Sequence, residues 1–318
     1  MTYRPATLED AELASDLMSA SNAATPQDPL LTRYRWKHPR KDMKFERFIG
    51  EIDGRPAAFL SWYHGPWEKL PDRHCEVEVW LDRAHLDRAL LLAMFAWIGD
   101  RAVADGAVLL LAYCGEDEPE MLDSLEELGY SRERTEKVWE LDLRANGPEL
   151  VEEARDALDG MVATGIELTT LEAWPDPDKM RKVYELDAST RQDIPHSLTV
   201  LVEDLEDFVQ RTKAPDRRND RTWIALDAGH PVALSYLKFP PVRGTVWTGY
   251  TCTHADYRGR GIARAVKLQS LAQAVSLGVP YVRTGNDAEN APMLHINEAL
   301  GYVRRPGFVE HHKRVTKK

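Results

Sequence analysis

Tyr257-Arg258-Gly259-Arg260-Gly261-Ile262-Ala263 stands between a run of strand formers, Thr245–Thr253, and a stretch whose apolar residues recur at helical spacing up to Gly278. The pattern predicts the order strand, glycine turn, helix. Glycines without Cβ atoms let such a turn bring its backbone amides close to a ligand, and the helix dipole adds partial positive charge there. With its two arginines, the turn is therefore predicted to bind phosphate.

An isolated glycine turn of this kind is structural in most proteins, but further signals follow it. Val279–Thr284 is predicted to form the next strand, and it leads to Asn286, Asn290 and then Leu300-Gly301-Tyr302. In this order and spacing, the residues resemble the GNAT superfamily of acyl-CoA-dependent N-acyltransferases. The resemblance implies that the turn holds the pyrophosphate of coenzyme A and that the later segment flanks its pantetheine arm and thiol. The coenzyme-binding residues implied in this way are Cys252, Thr253, Arg258, Gly259, Arg260, Gly261, Ile262, Ala263, Asn286, Asn290 and Met293. For the two asparagines, capping of the following helix is an equally good interpretation.

Length and composition set broad limits. The 318 residues suggest two domains of about 150 residues each, and 43% hydrophobic with 29% charged residues is typical of a globular protein. A net charge of −11 argues against a nucleic-acid partner and permits a cationic amine substrate. The three cysteines are scattered without metal-like spacing, so no metal is expected. We find neither a signal peptide nor an apolar run of about 18 residues, and therefore expect no membrane partner and a cytoplasmic location.

The two halves of the chain repeat each other at a constant offset of 172 residues (293 − 121, 301 − 129, 278 − 106). Met121-Leu122 corresponds to Met293-Leu294, and Leu128-Gly129-Tyr130 corresponds to Leu300-Gly301-Tyr302. The chain thus resembles the tandem GNAT proteins. The resemblance implies an α/β fold of two tandem GNAT domains, each a mixed, mostly antiparallel sheet wrapped by helices. The predicted boundaries are 1–144 for the first domain, 145–164 for a linker helix and 165–318 for the acetyl-CoA-binding domain.

At the same offset, Leu86-Asp87-Arg88-Ala89 takes the place of the glycine turn, and Cys114 and Glu118 take the places of the two asparagines. An aspartate in the turn puts a carboxylate where a pyrophosphate would bind, and two like charges in partly desolvated surroundings repel each other strongly. The first domain is therefore predicted to be a degenerate copy that does not bind acyl-CoA and that forms one wall of the substrate cleft.

Local patterns predict several further elements. Asp53-Gly54 predicts a hairpin turn within 47–63, and Thr7-Leu8-Glu9-Asp10 a capping motif before the first helix. Between the domains, 144–149 is interpreted as a break before a charged helix over 150–161. Helices over 176–188 and 202–212 enclose a polar bend, 189–196, that covers the acceptor in GNAT folds. The last strand is expected to begin at Phe308 and to end in basic residues.

The chemistry of acyl transfer to an amine requires a base, a proton donor and an oxyanion site. A strand amide near Cys252 or Thr253 would form the oxyanion site, as the resemblance implies. His254 is the candidate base, since its free pKa lies near neutrality. Asn297 occupies the position at which the family usually has a tyrosine, and an amide cannot act as a general acid. The alternatives left open are proton donation by another group or by water (with Tyr250, Tyr257 and Tyr302 as candidates), departure of an unprotonated thiolate, or impaired catalysis. Glu185, Asp187 and Asp193 are candidate substrate-binding residues, although all of these side chains also have ordinary structural roles.

The function expected from the sequence is transfer of an acetyl group from acetyl-CoA to a primary amine of a small molecule, by direct attack in a ternary complex. One alternative is acetylation of a protein or peptide. The other is an acyl-CoA-binding regulatory or scaffold protein with little turnover. The acceptor, the acyl chain length and the oligomeric state, for which a homodimer is one option, are left open.

Overall fold

The computed structural model describes residues 1–315. The first part of the chain contains β1 (Thr2–Pro5), α1 (Ala11–Ser21), α2 (Pro29–Lys37), β2 (Lys44–Ile52), β3 (Arg55–His64), β4 (His74–Leu81), α3 (Arg88–Asp105), β5 (Leu109–Gly115), α4 (Pro119–Glu127), β6 (Ser131–Asp142) and α5 (Leu143–Ala163). The second part contains β7 (Ile166–Thr170), α6 (Lys179–Arg191), α7 (Leu205–Thr212), β8 (Thr222–Asp227), β9 (His230–Lys238), β10 (Val246–Thr253), α8 (Ile262–Ser276), β11 (Tyr281–Asp287), α9 (Ala291–Ala299) and β12 (Val303–Arg314).

Most elements with a strong local signal form where the sequence predicts them. The hairpin of β2 and β3 turns at Asp53 and Gly54, which both have positive φ angles. The capping box of Thr7 and Asp10 is present, although a short 3₁₀ turn precedes α1. Two elements were not predicted, β6 and α2. Helix α2 begins at Pro29, and the side chain of Asp28 caps it by accepting a hydrogen bond from the backbone N–H of Leu31.

All twelve strands form one sheet in the order β1-β2-β3-β4-β5-β12-β6-β11-β10-β9-β8-β7. The last strand of each half, β6 in the first and β12 in the second, therefore pairs with a strand of the other half. Strand β12 pairs with β5 through Phe308–Arg314, and β6 pairs with β11 along its whole length from Tyr281 to Asp287. The predicted fold class is confirmed as α/β with a mostly antiparallel sheet. However, the two sheets are fused through an exchange of their final strands.

The predicted break over 144–149 is wrong, because α5 is continuous from Leu143 to Ala163 and includes Pro148. The side chain of Asp142 caps the helix by accepting hydrogen bonds from the backbone N–H groups of Arg144 and Ala145. Tertiary contacts support the helix against its proline and glycine. Gly147 lies against Val275 of α8, where even one added carbon would be tightly packed, since a Cβ would lie 3.1 Å from the nearest side-chain atom.

The core is divided between the two faces of the sheet and the two halves. In the first half, α3 buries Leu91, Met94 and Ile98 against β3 to β5. In the second half, α8 is buried between α5 and the sheet, with Leu268 and Leu271 fully inaccessible. Among residues 1–315, no helix is both long enough and apolar enough to cross a membrane. Strand β12 begins at Val303, five positions before the predicted start, and residues 316–318 of the predicted basic end lie outside the described part of the chain.

The exchanged strands predict a specific dependence of stability on β12. A chain ending at Gly301 should lose stability in both halves, because β5 and β6 would each lose a hydrogen-bonded neighbour and expose a strand edge. The matched control is a chain lacking residues 1–5, which removes only the edge strand β1 and leaves the centre of the sheet intact. Hydrogen exchange should show loss of protection in β3 to β5 and in β10 and β11 for the first variant only. Loss confined to the second half would contradict the exchange.

Candidate acyl-coenzyme A site

Strands β10 and β11 run parallel and diverge from each other. Their described pairing consists of Val246 with Val282 and Trp247 with Arg283. Beyond these pairs, β10 continues along β9 and β11 continues along β6. A bulge in β10 between Thr248 and Tyr250 marks the start of the divergence. The opening leaves backbone groups of both strands free for an extended ligand.

The glycine turn lies at the end of β10 and opens α8. Gly259 and Gly261 have φ angles of +74° and +78°, a region that side-chain-bearing residues rarely adopt. A Cβ at either position would find no neighbour within 4 Å, so both glycines face open space. Gly261 is the N-cap of α8 and provides no side-chain hydrogen bond, which leaves the first amides of the helix unsatisfied. Free amides at the positive end of a 15-residue helix form a suitable phosphate site.

The corresponding turn of the first half is already occupied by carboxylates. Asp87 is the N-cap of α3, and its side chain accepts a hydrogen bond of 2.9 Å from the N–H of Leu90. Glu118 precedes α4, and its carboxylate accepts a hydrogen bond of 2.7 Å from the N–H of Gly115. Asp87, which replaces a glycine, therefore occupies one amide at the start of α3, and Glu118, which replaces an asparagine, occupies the amide of Gly115. This geometry supports the prediction of a single cradle per chain.

A cavity of about 1380 Å³ extends from the glycine turn to the strands of the first half. Its lining includes twelve of the residues predicted for the site: Tyr250, Cys252, Thr253, Arg258, Gly259, Gly261, Ile262, Ala263, Asn286, Asn290, Met293 and Asp193. Five others do not line it: His254, Arg260, Asn297, Glu185 and Asp187. Ten of the eleven residues predicted to bind the coenzyme are thus brought together, whereas Arg260, the predicted base and two of the three substrate residues lie elsewhere.

The residues outside the cavity have structural partners. His254 caps a short turn, and its Nδ1 accepts a hydrogen bond from the N–H of Asp256. Glu185 is exposed and pairs with Arg181 on the same helix. Asp187 is buried and forms an ion pair with Arg191. Arg260 donates a hydrogen bond of 2.9 Å to the backbone oxygen of Asp256.

Two predicted residues that do line the cavity are held by neighbours. The hydroxyl of Tyr250 donates to Oγ1 of Thr190 at 3.1 Å, and the Arg191 guanidinium lies 4.6 Å from the centre of its ring. Burial raises the pKa of Tyr250, which keeps this phenol protonated at neutral pH. Asp193 forms an ion pair with Arg258, so the acceptor-covering loop is tied directly to the glycine turn.

A row of acidic and phenolic side chains forms the opposite side of the cavity, and the sequence did not reveal it. Strand pairing places them on one face of the sheet: Tyr63 pairs with Glu76, Tyr113 pairs with Glu310, and Glu136 lies two residues from the partner of Glu310 on β6. The hydroxyl of Tyr113 donates to Glu310 at 3.0 Å. A Cβ at Gly285 would collide with the Glu136 carboxylate, so this carboxylate lies directly over β11, at the mouth of the opening.

The surroundings of the cavity raise the pKa values of two carboxyl groups in this row. Burial, together with the neighbouring Glu78 carboxylate, raises the pKa of Glu76 to about 8. Desolvation by the surrounding protein, with Asp287 nearby, also raises the pKa of Glu136. Among the described residues, Glu136 has no cation within ion-pair distance, and its side chain remains accessible from the cavity. A carboxylate with a raised pKa is a better proton acceptor, and an ammonium group bound beside it would stabilise its ionised form.

Asn297 is fully buried beneath the cavity. Its Nδ2 donates to Oδ1 of Asn286 at 2.6 Å, and its Oδ1 accepts from Nζ of Lys267 at 2.6 Å. Lys267 is also fully buried, 4.8 Å from the centre of the Tyr302 ring, and burial lowers its pKa to about 7. Asn297 therefore orients the cavity residue Asn286. Lys267 was not predicted as part of the site, because a lysine within an amphipathic helix is expected at the surface.

Comparisons with known proteins agree with this geometry. Residues 178–302 match the model of the acetyltransferase (GNAT) family. No curated protein matches the chain in sequence. A tandem GNAT protein from the clavulanic acid biosynthesis pathway is 16% identical, with a TM-score of 0.76 over 100% of this chain and 99% of the other. A GCN5-related N-acetyltransferase from Sphaerobacter thermophilus is 19% identical, with a TM-score of 0.66 over 99% and 96% of the two chains.

The family match lies in the second half of the chain, whereas the matches to solved structures span the whole chain and show its fold. The region from 178 to 302 is a domain of the GNAT acetyltransferase family, and the whole chain has the fold of the tandem GNAT proteins. An acetyltransferase of this family from Colwellia psychrerythraea has the same overall fold, at 12% identity and a TM-score of 0.62 over 99% of this chain and 100% of the other. The boundaries at 144 and 165 and the roles of individual residues remain predictions.

The geometry of the glycine turn predicts that an aspartate there, as in the first half, prevents coenzyme binding. Gly261→Asp should abolish binding of acetyl-CoA, because the new carboxylate would cap α8 and repel the pyrophosphate. Gly278→Asp is the matched control, since Gly278 also has a positive φ of +73° and open space around it but lies outside the cavity. Calorimetric titration should give one site per chain for the wild type and the control. Two sites in the wild type, or unchanged affinity in Gly261→Asp, would contradict the assignment.

Lys267 predicts a pH dependence of stability. Because its pKa is about 7 in the folded protein and near the usual lysine value when unfolded, the unfolded chain binds more protons between these values. The free energy of unfolding should therefore rise with pH from 7 upward, by about 1.4 kcal/mol per pH unit from this group. Lys267→Met should remove that part of the slope, whereas Lys213→Met, at an exposed position, should not. Urea unfolding between about pH 7 and pH 9 measures the difference, and parallel slopes would contradict it.

Proposed function

We propose that this protein transfers an acetyl group from acetyl-CoA to a primary amine of a small cationic molecule, by direct attack in a ternary complex. The observation that carries the proposal is the cavity that connects the uncapped glycine turn of the second half to the acidic row, whose members come from both halves. One end suits a pyrophosphate, and the other end suits an ammonium group. The opening between β10 and β11 lies between them.

The coenzyme would bind with its pyrophosphate at the amides of Gly259 to Ala263. Arg258 lies beside this turn, although in the free protein it is paired with Asp193. The pantetheine arm would run into the opening between the strands, next to Asn286 and Met293. Backbone groups of β10 near Cys252 and Thr253 would then lie beside the thioester, where an N–H can stabilise the tetrahedral oxyanion. The hydroxyl of Thr253 is buried without a hydrogen-bond partner, so this part of the strand has an unsatisfied polar group.

Glu136 is the residue best placed to bind the amine and accept its proton. Its carboxylate lies over β11 at the mouth of the opening, and no cation of the described residues pairs with it. The amine nitrogen attacks the thioester carbon, the C–N bond forms, and the proton of the attacking amine passes to Glu136. The C–S bond then breaks, and water in the cavity relays the proton from Glu136 to the coenzyme thiolate. Glu76 and Glu310 would bind further ammonium groups of the acceptor.

The geometry favours a small acceptor over a protein segment. Residues 194–201 of the loop after α6 cover the cavity from one side, and strands of the first half close the other. Acetylation of a peptide would need an open groove. The remaining alternative, a coenzyme-binding scaffold with little turnover, is distinguished by thiol release from acetyl-CoA with a panel of diamines and amino sugars. Release that never exceeds spontaneous hydrolysis would favour the scaffold.

Glu136 predicts both a rate and a pH profile. Glu136→Gln should lower kcat by about 10²-fold or more, as expected for loss of a general base. In the wild type, kcat should fall as the pH drops through the raised pKa of this carboxylate, because only the ionised form accepts a proton. The variant should lose that limb of the profile. Glu133→Gln, on the same strand but outside the cavity, is the control. Equal rates for the wild type and Glu136→Gln would exclude this role.

A further inference from the structure

A second cavity of about 540 Å³ lies beside the cavity of about 1380 Å³ described above, which we call the acyl cavity. It is enclosed by α2 and β2 to β4 of the first half and by α7 and β9 of the second half. Arg40, Met43 and Tyr63 line both cavities, so the two adjoin each other. The mechanism proposed above uses none of the residues that line the second cavity alone.

The internal repeat relates this second cavity to the acyl cavity. Strand β4 spans His74–Leu81 and β10 spans Val246–Thr253, which is the offset of 172 residues found in the sequence. At this offset Glu78 and Trp80 of the second cavity correspond to Tyr250 and Cys252 of the acyl cavity. The second cavity is therefore the first half's counterpart of part of the acyl site. The first half has lost its coenzyme cradle but has kept a ligand-sized space.

Four cationic side chains line this space without a partner: Arg35, Arg47, Arg217 and Lys238. Within residues 1–315, none of the four has a carboxylate in ion-pair distance or donates a side-chain hydrogen bond. Nε of Arg217 is buried and lacks an acceptor, while its guanidinium lies 3.4 Å from the centre of the Tyr236 ring. A buried donor without an acceptor costs folding free energy. The four cationic groups thus have no side-chain acceptor among the described residues, and the acidic group of a ligand in the cavity would provide one.

The neighbouring charges do not supply these acceptors. Glu203 is engaged by Arg211, and Glu78 accepts a hydrogen bond from Ser61. Asp216 also lines the cavity but forms no ion pair with a described residue. Burial, together with the charge of Arg35, lowers the pKa of Lys238 to about 8, and burial lowers the pKa of Arg47 to about 10. Cationic side chains that lie close together and are largely desolvated destabilise the folded protein unless an anion binds between them.

The remainder of the wall is aromatic. The guanidinium of Arg47 lies 4.0 Å from the centre of the Phe45 ring and 4.7 Å from that of Trp36. A wall that combines apolar rings with unsatisfied cationic donors matches a molecule with an apolar body and one acidic group. Further aromatic residues that line the cavity are Tyr34, Phe59, Tyr63 and Trp80.

We propose that this second cavity binds a small organic anion, a carboxylate or phosphate ester with an aromatic or apolar body, whose acidic group is received by Arg217 and Lys238. The anion is either a separate ligand or the far end of the acceptor, since the two cavities adjoin. Both sources share the same recognition chemistry, and kinetics separate them.

The experiment titrates the CoA-saturated protein with phenyl phosphate and with benzoate, so that the glycine turn is already occupied. Calorimetry and the fluorescence of Trp36 and Trp80 report binding, and benzylamine is the cationic control ligand. We expect one anion site per chain, at least 10-fold weaker in Arg217→Met and in Lys238→Met. Lys213→Met, an exposed lysine outside the cavity, should bind as the wild type does. Coenzyme titration of each variant confirms folding independently of the proposed reaction.

A stability measurement keeps the proposal testable if these probes fit poorly. Without ligand, Lys238→Met should be more stable than the wild type, with a Tm higher by about 2 °C or more, because one unpaired buried charge is removed. The proposal is overturned if neither anion binds and Lys238→Met also lowers the Tm. It is equally overturned if both anions bind the cavity variants as tightly as the wild type.

Competition assays identify the source of the anion. If phenyl phosphate competes with the acceptor amine and Arg217→Met raises the acceptor KM, the cavity binds the far end of the acceptor. If the anion binds without competition, it is a separate ligand. Either result supports the site, and neither depends on whether Glu136 is the base.

Discussion

The fold depends on backbone hydrogen bonding at the centre of the sheet, where each half completes the other with its last strand. Without β12, β5 would be an open edge, and without β6, β11 would be one. Open edges of this kind aggregate or recruit another chain. The exchange also has a chemical consequence. It carries Glu136 on β6 and Glu310 on β12 across the boundary, so that first-half and second-half residues share the face that lines the acyl cavity.

The two halves differ at the start of two corresponding helices, α3 in the first half and α8 in the second half. In the first half, Asp87 satisfies an N–H group of α3 and places a negative charge there. In the second half, Gly261 has no side chain, and the corresponding amides of α8 remain available. The same carboxylate that stabilises one helix would exclude a pyrophosphate from the other. Helix capping and anion binding thus compete for the same few N–H donors, and in the first half the cap takes one of them.

Sequence reasoning succeeded where the determinants are local. The Asp53-Gly54 hairpin, the glycine turn at Gly259 and Gly261 and the 172-residue repeat depend on neighbouring residues or on spacing, and all are present in the structure. It failed where tertiary contacts decide. The continuity of α5 through Pro148 depends on packing against α8, and the acidic row depends on strand β6 crossing to the other half. Lys267 looks like a surface lysine until its helix is placed between α5 and the sheet.

The buried pair of Asn297 and Lys267 explains why an amide stands where the family usually has a tyrosine. The position must accept a hydrogen bond from Lys267 and donate one to Asn286, and an amide does both with two different atoms. The asparagine is fully buried at this site. The position therefore serves to orient a cavity residue rather than to supply a proton. In the proposed reaction, proton transfer would fall to groups on the cavity wall, whose carboxylates come from both halves: Glu76 and Glu136 from the first, and Asp193, Asp287 and Glu310 from the second. Under the proposed function, a half without a coenzyme cradle would still provide side chains to the reaction of the other half.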